Sequence, residues 1–86
     1  MNSEGLSHSV SVGEQNYFFG QKLQELRKGR GLSQERLAQK LGVTRSTVAN
    51  YETGRSLPPF WVVEKAAVYF NVGIDELSMK GGEQEQ

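Results

Sequence analysis

Two helix-start signals lie eleven residues apart in this 86-residue chain, with a glycine between them. Ser33 precedes the run QERLAQKL, and Thr44 precedes the run RSTVANYE. Serine and threonine are favoured N-cap residues, because their oxygen accepts a backbone N–H that the first turn leaves unpaired. Gly42 can end the first run, since glycine tolerates the positive φ of a tight turn. The pattern predicts two helices of about two turns each, joined by a very short connection.

The apolar residues of this window indicate how the two helices pack. Ala38 provides the small side chain that a steep helix crossing requires, and Val48 is placed to insert between the two helices. Four further residues complete the predicted floor: Leu37, Leu41, Val43 and Tyr51. Together these features predict a helix-turn-helix, with an ordinary helical hairpin as the alternative.

Helical spacing continues on both sides of this motif. A first helix is predicted to end at Gly29 and Gly31, with an apolar face made of Phe19, Leu23 and Leu26. A later helix begins after Pro58 and Pro59, with a predicted core stripe made of Phe60, Val63, Ala67 and Phe70. Residues 74–77 form a short final helix or turn. Strand signals are lacking, so the sequence predicts an all-α fold of four or five short helices.

The ends of the chain differ in composition from its middle. Residues 1–16 are rich in serine and are predicted to be a flexible leader, residues 17–78 to be the folded domain, and residues 79–86 to be a flexible tail. The chain has no cysteine and one histidine, His8, so the usual zinc ligand sets are lacking and no metal or cofactor is expected. No apolar run suits a membrane span or a signal peptide, so a cytoplasmic protein is expected.

The formal net charge is zero, but the charges are unevenly distributed. Residues 20–56 hold eight basic and three acidic residues, a net charge of +5. The rest of the chain holds two basic and seven acidic residues, a net charge of −5. A basic segment between acidic flanks is compatible with a surface that binds a polyanion, and also with a solvated helix surface.

The motifs LxxLRxxRGLSQERLAQKLGVTRSTVANYETGR, LPP and NVGIDEL follow one another within residues 19–77. On these motifs the chain resembles the DNA-binding domain of the lambda-repressor/Cro-like (Xre-type) transcriptional regulators. The resemblance implies a five-helix orthogonal bundle that contains a helix-turn-helix. It also implies sequence-specific binding of double-stranded DNA. The leader and the tail lie outside the resemblance.

In that family the second helix of the motif enters the major groove, where each base pair presents a distinct hydrogen-bonding pattern. The resemblance therefore implies that residues 44–52 form the helix that reads the bases. Arg45, Ser46 and Asn50 fall on the base-contacting positions of the family. Arginine can bind guanine O6 and N7 with two hydrogen bonds, and asparagine can do the same with adenine N6 and N7. Each of these residues could instead be a solvated surface residue.

Six residues are predicted to contact the DNA backbone: Gln34, Thr47, Arg55, Ser56, Lys22 and Arg36. Gln34 begins a helix, where its side chain and the free backbone N–H groups can hold a phosphate. The resemblance implies that Gln34 also supports the helix that reads the bases. Thr47 could also touch a thymine methyl group. Lys22 and Arg36 are weaker candidates, because an exposed cation usually faces only solvent. The resemblance further implies that Arg27 and Glu52 form a partly buried ion pair, with a structural role and no base contact.

The helix after Pro58 has a second apolar side, which includes Trp61, Val68, Tyr69 and in one interpretation Val62. An exposed patch of aromatic and aliphatic residues often indicates a protein interface. A homodimer contact is therefore predicted at Trp61, Val68 and Tyr69, and the alternative is that Trp61 folds back on the leader or on Leu57. A dimer would place two reading helices about 34 Å apart, which matches one turn of DNA and a palindromic site.

The leading hypothesis is a small DNA-binding regulator of the repressor or controller type, such as a restriction–modification controller or a prophage-type repressor. The alternative is a protein-interaction module of the same fold, such as an antitoxin or a bridging coactivator. An enzyme is not expected, because the sequence has no nucleophile–histidine arrangement, no glycine-rich phosphate loop and no carboxylate pair. No small-molecule effector is evident.

Overall fold

The structure, a computed structural model, describes residues 18–78, which form five helices and no strand. The helices are α1 (18–29), α2 (Gln34–Leu41), α3 (Arg45–Glu52), α4 (Phe60–Phe70) and α5 (Ile74–Ser78). For this part of the chain, the predicted all-α fold of five helices is confirmed. The predicted leader with His8 and the predicted tail lie outside the described residues. No helix within residues 18–78 is long and apolar enough to cross a membrane.

The turn between α2 and α3 has the predicted cap geometry. The Ser33 hydroxyl accepts a hydrogen bond from the backbone N–H of Arg36 at 3.0 Å, and the Thr44 hydroxyl accepts one from the N–H of Thr47 at 3.2 Å. Gly42 has a φ of 78° and donates its N–H to the carbonyl of Ala38 at 2.8 Å. Because each helix end is satisfied locally, the two helices are joined by only three residues, 42–44.

A single hydrophobic core receives side chains from all five helices. The largest fully buried side chains of this core are Leu23, Leu37, Leu41, Val48, Val62 and Leu77. Burying an aliphatic side chain of this size stabilises a fold by about 1.5–3 kcal/mol. Val48 is fully buried, and Ala38 is 3% exposed, as the predicted packing of the helix-turn-helix requires. The core therefore fixes the angle at which α3 leaves the turn.

The predicted core stripe of α4 is wrong at its first position. Phe60 is 61% exposed. Val62 is fully buried, although one interpretation of the sequence puts it on the outward side of the helix. The buried residues of this helix are Val62, Val63, Ala66, Ala67 and Phe70. The run FWVVEKAAVYF is apolar on most sides, so its spacing alone does not select one buried face.

Gly20 lies where α1 crosses the C-terminal end of α3. A Cβ atom at Gly20 would overlap the carbonyl oxygen of Tyr51 and would lie 2.8 Å from that of Glu52. Both opposing groups are backbone atoms, which cannot move aside as a flexible side chain could. The absence of a side chain at Gly20 is therefore what allows the two helix backbones to approach so closely.

Replacing Gly20 by alanine is expected to lower the free energy of unfolding by about 1–3 kcal/mol, because the overpacked helices must separate. Denaturant unfolding followed by circular dichroism measures the change. The matched control is Gly29→Ala, since nothing lies within 4 Å of a Cβ at Gly29. Alanine has the higher helix propensity, so the control should be neutral or more stable by up to about 1 kcal/mol. Equal losses in both variants would contradict a specific role for the close approach at Gly20.

Candidate nucleic-acid interface

The helix α3 has one buried side and one accessible side. Val48, Tyr51 and Glu52 are buried, whereas Arg45 and Ser46 are exposed. Thr47 and Asn50 are half-buried beside them. The Tyr51 ring packs edge-on against Phe19 at a centroid distance of 5.9 Å, and burial raises the pKa of its phenol above the ordinary value. The predicted base-contacting residues thus lie on a helix whose opposite side is held in the core.

The side chain of Arg45 contacts the first residue of α2. Its Nη1 donates a hydrogen bond to Oε1 of Gln34 at 3.1 Å. Arg45 is predicted to contact the bases and Gln34 the DNA backbone, and the structure brings these two residues together. An arginine held in this way keeps a defined direction at the surface and retains further N–H donors for a ligand.

Gln34 is in turn bound to a buried carboxylate. Its Nε2 donates to Oε1 of Glu52 at 3.0 Å. Arg27 donates to the same carboxylate through Nε to Oε2 at 2.7 Å and through Nη2 to Oε1 at 3.0 Å. The remaining Arg27 nitrogen, Nη1, donates to the carbonyl of Leu32 at 2.8 Å. The ion pair implied by the family resemblance is therefore present, with both residues buried.

The chemistry of Glu52 determines the orientation of Gln34. An ionised carboxylate only accepts hydrogen bonds, so the Gln34 amide must direct its NH₂ group towards Glu52. Its oxygen then points away from Glu52, where it accepts the hydrogen bond from Arg45. Four side chains form a continuous path from the core to the surface: Arg27, Glu52, Gln34 and Arg45. We call this path the polar relay.

The end of α3 also organises the segment that follows it. The backbone N–H groups of Arg55 and Ser56 donate to the carbonyl of Asn50 at 2.9 Å and 3.3 Å. Gly54 has a φ of 79°, which lets the chain turn back towards this carbonyl. The predicted backbone-contacting residues Arg55 and Ser56 are thereby placed beside the predicted base reader Asn50.

The other predicted backbone-contacting residues are less closely tied to α3. Lys22 is half-buried and lies 3.9 Å from Glu25, one turn away on the same helix. The side chain of Arg36 is exposed. The Thr47 hydroxyl lies 2.8 Å from that of Thr44, so it is held close to the start of α3. Of these residues only Thr47 belongs to the surface of α3.

Two residues of this site were missed by the sequence analysis. Gln24 directs its Nε2 to Oε1 of Glu52 at 3.5 Å, which adds a donor to the polar relay. Gly20 allows α1 to reach the end of α3 on which Glu52 lies. The available signal was an isolated glycine within an otherwise helical pattern, which often indicates a close backbone approach.

The predicted dimer residues lie on α4, away from the polar relay. Trp61 is 49% exposed and Val68 is 81% exposed. Tyr69 is half-buried, and its ring lies 5.3 Å from the guanidinium of Arg30 and 6.0 Å from the amine of Lys40. Together with Ile74 and Val72, Trp61 and Val68 line an open depression on this side of the protein. Tyr69 lines the same depression, so all three predicted dimer residues face it.

Two short helices at a tight turn, with an ordered polar surface on the second, define a helix-turn-helix protein. Among residues 18–78, no cluster of histidine or carboxylate side chains could hold a metal ion. The helix-turn-helix domain family matches residues 19–78, and this chain belongs to that family.

Named relatives agree with this assignment. The chain is 41% identical over 59 residues to the HTH-type transcriptional activator BcrR of Enterococcus faecalis. These 59 residues are 69% of this chain and 29% of that protein. It is also 41% identical over 59 residues to the cryptic phage CTXphi transcriptional repressor RstR of Vibrio cholerae. This match covers 69% of this chain and 53% of that protein. The matched region is thus about a third and about half of these proteins.

A solved structure is similar over nearly its full length. The restriction-modification controller protein C.AhdI from Aeromonas hydrophila superimposes with a TM-score of 0.68 at 37% sequence identity. The match covers 76% of this chain and 94% of that one. The predicted membership of the lambda-repressor/Cro-like (Xre-type) regulators is confirmed by the family, the relatives and this structure.

Proposed function

We propose that this protein binds double-stranded DNA sequence-specifically and regulates transcription, with α3 in the major groove. The observation that carries the proposal is the polar relay, which holds Arg45 at the exposed start of α3. A side chain that is positioned before binding loses less conformational entropy when it meets a base edge. Arg45, Ser46 and Asn50 are the proposed base-contacting residues, on the accessible side of a helix whose other side is buried.

Contacts to the DNA backbone are proposed on both sides of α3. Gln34 and Thr47 lie near its N-terminal end, and Arg55 and Ser56 lie beside its C-terminal end. Lys22 and Arg36 add exposed or half-exposed positive charge on α1 and α2. Phosphate contacts of this kind fix the register of the protein on the duplex but carry no sequence information directly.

A homodimer is proposed through the apolar patch on α4. Trp61 and Val68 are exposed although they are apolar, and patches of this kind mark protein interfaces. Trp61 provides the large aromatic anchor that such interfaces favour. Two copies related by a two-fold axis would present two α3 helices to one palindromic site.

The controller type is favoured by the match to a solved structure. The similarity to the controller protein C.AhdI extends over 94% of that chain at 37% sequence identity, with a TM-score of 0.68. Both the fold and the aligned sequence therefore support a regulator of the controller type.

The test is selection of bound duplexes from a random pool at about 0.15 M salt, where nonspecific attraction is weakened. The expected result is an enriched inverted repeat with half-sites about one helical turn, 34 Å, apart. Enrichment of a single half-site would support α3 as the reader and contradict the dimer. Absence of any enriched sequence would contradict specific DNA binding and favour the interaction module, an antitoxin or a bridging coactivator.

The proposed dimer can be tested separately by a substitution at Val68. Val68→Asp should raise the dimer dissociation constant by at least about tenfold, because the carboxylate would lose its hydration at the interface. Since Val68 is 81% exposed in the single chain, the free energy of unfolding should change by less than about 0.5 kcal/mol. Sedimentation equilibrium measures the first quantity and thermal unfolding the second.

The matched control for Val68→Asp is Gln39→Asp, which adds the same charge at an exposed position of α2. The control should leave the dimer dissociation constant unchanged. If both variants dissociate equally, the effect comes from net charge and the α4 patch is not the interface.

A further inference from the structure

The outward side of α4 combines an apolar stripe with opposite charges on its two edges. Trp61 and Val68 are seven residues apart and therefore lie nearly in line, two turns from each other. Glu64 and Lys65 fall between them, each about 50° to one side of this line at 100° per residue. All four residues are exposed. We call these four residues the outer face of α4.

The two edge charges have no partner among residues 18–78. The ion pairs in this part of the chain are Lys22 with Glu25 and Arg27 with Glu52, so Glu64 and Lys65 are unpaired there. The Lys65 amine lies on the side of α2, because a Cβ at Gly42 would be 3.7 Å from its Nζ. The helix geometry puts Glu64 on the opposite edge.

We infer that a second copy of this chain packs on the outer face with its α4 parallel to the first, so that each Glu64 pairs with Lys65 of the partner subunit. The inference rests on the proposed dimer and specifies its geometry. A two-fold axis along the helices brings the Glu64 edge of one copy against the Lys65 edge of the other. A two-fold axis across the helices, which makes them antiparallel, would instead oppose Glu64 to Glu64 and Lys65 to Lys65 of the partner subunit. The charges therefore distinguish the two arrangements.

The position of the proposed DNA contacts favours the same arrangement. The segment that carries Arg55 and Ser56 leads directly into α4, so the N-terminal end of α4 is the end nearest the proposed backbone contacts. If the two-fold axis of the dimer points at the duplex, the same end of each subunit faces the DNA. The N-terminal ends of both α4 helices then lie on the DNA side, as parallel packing requires.

Single cysteines test the geometry directly, because the natural chain has no cysteine. A disulfide needs Cα atoms about 4.4–6.8 Å apart. Parallel packing places Val68 beside Val68 of the partner subunit, so Val68→Cys should give a disulfide-linked dimer under mild oxidation. Antiparallel packing would place Val68 beside Trp61 and would bring the two Glu64 positions together. The matched control, Glu64→Cys, should therefore remain largely unlinked.

Charge reversal provides an independent test by sedimentation equilibrium. Glu64→Lys and Lys65→Glu should each weaken the dimer by about tenfold, since two attractive contacts become repulsive. The double variant Glu64→Lys/Lys65→Glu should recover the affinity of the natural protein. It should also fail to form mixed dimers with the natural protein, because each mixed pair would oppose like charges. In an antiparallel dimer the single variants would be neutral, and mixed dimers would be favoured.

The outcomes separate this inference from the proposed function. A dimer that crosslinks through Glu64→Cys and not through Val68→Cys would overturn the parallel arrangement while leaving the dimer intact. If neither cysteine variant crosslinks, and neither charge reversal changes the dimer dissociation constant, the interface lies away from the outer face. A chain that stays monomeric at every concentration, with and without DNA, would overturn both the dimer and this inference.

Discussion

Replacing Glu52 by alanine should lower the free energy of unfolding by about 3–5 kcal/mol, the largest loss of stability expected in this protein. The substitution leaves the buried guanidinium of Arg27 without its charge partner. It also removes the acceptor of the Gln34 amide and the nearby acceptor of the Gln24 amide. Small domains have a total stability of about 5–15 kcal/mol, so the variant should be close to unfolding. Denaturant unfolding at neutral pH measures the change.

A double variant distinguishes two causes of this lower free energy of unfolding, an unpaired buried charge and lost packing. In the double variant Arg27→Met/Glu52→Leu neither charge remains, so no uncompensated charge is buried. Stability should return to within about 1–2 kcal/mol of the natural protein, because apolar pairs of similar volume replace such ion pairs at little cost. If the double variant is as unstable as Glu52→Ala, the cause is lost packing and not an unpaired charge.

The same double variant tests the polar relay. Leucine at position 52 offers no acceptor, so the Gln34 amide is no longer held with its oxygen towards Arg45. A folded double variant should therefore bind its selected DNA site more weakly and with less base preference, although it retains Arg45 and all the exposed cations. Undiminished DNA affinity and preference would show that Arg45 reads the bases without help from the relay.

The helix-turn-helix could be predicted because its signals are local. Ser33 and Thr44 cap the helices that directly follow them, and Gly42 takes the positive φ at the turn between them. Each of these interactions joins residues no more than four positions apart. Local backbone hydrogen bonding therefore determines where both helices begin, and a sequence pattern is enough to locate it.

Features that depend on the relation between distant helices could not be predicted in this way. Gln34 and Arg45 are eleven positions apart, and their hydrogen bond exists only because of the angle at which α3 leaves the turn. The buried side of α4 depends on the helices packed against it, since its sequence is apolar on most sides. For this reason the pattern predicts Phe60 in the core and leaves the side of Val62 open, whereas the packed bundle buries Val62 and leaves Phe60 exposed.

Replacing Arg45 by alanine is expected to have the largest effect on DNA recognition. Each arginine that binds a guanine with two hydrogen bonds contributes about 1–3 kcal/mol of discrimination. A dimer on a palindromic site loses two such contacts, about 2–6 kcal/mol in total, so the dissociation constant should rise by about thirtyfold or more. Titration of a duplex obtained by the selection experiment measures the change. Because Arg45 is exposed, the variant should remain folded.

The matched control for this prediction is Arg36→Ala, which removes the same charge from an exposed position of α2. If Arg36 contacts a phosphate, its loss should weaken binding about equally for all sequences and reduce the salt slope by about 0.9 per contact. Loss of Arg45 should instead relax the preference at one base pair in each half-site. Uniform weakening by both variants would assign Arg45 to the phosphates, and base recognition would then depend on Ser46 and Asn50. A change confined to one base pair would show that Arg45 contacts a base edge.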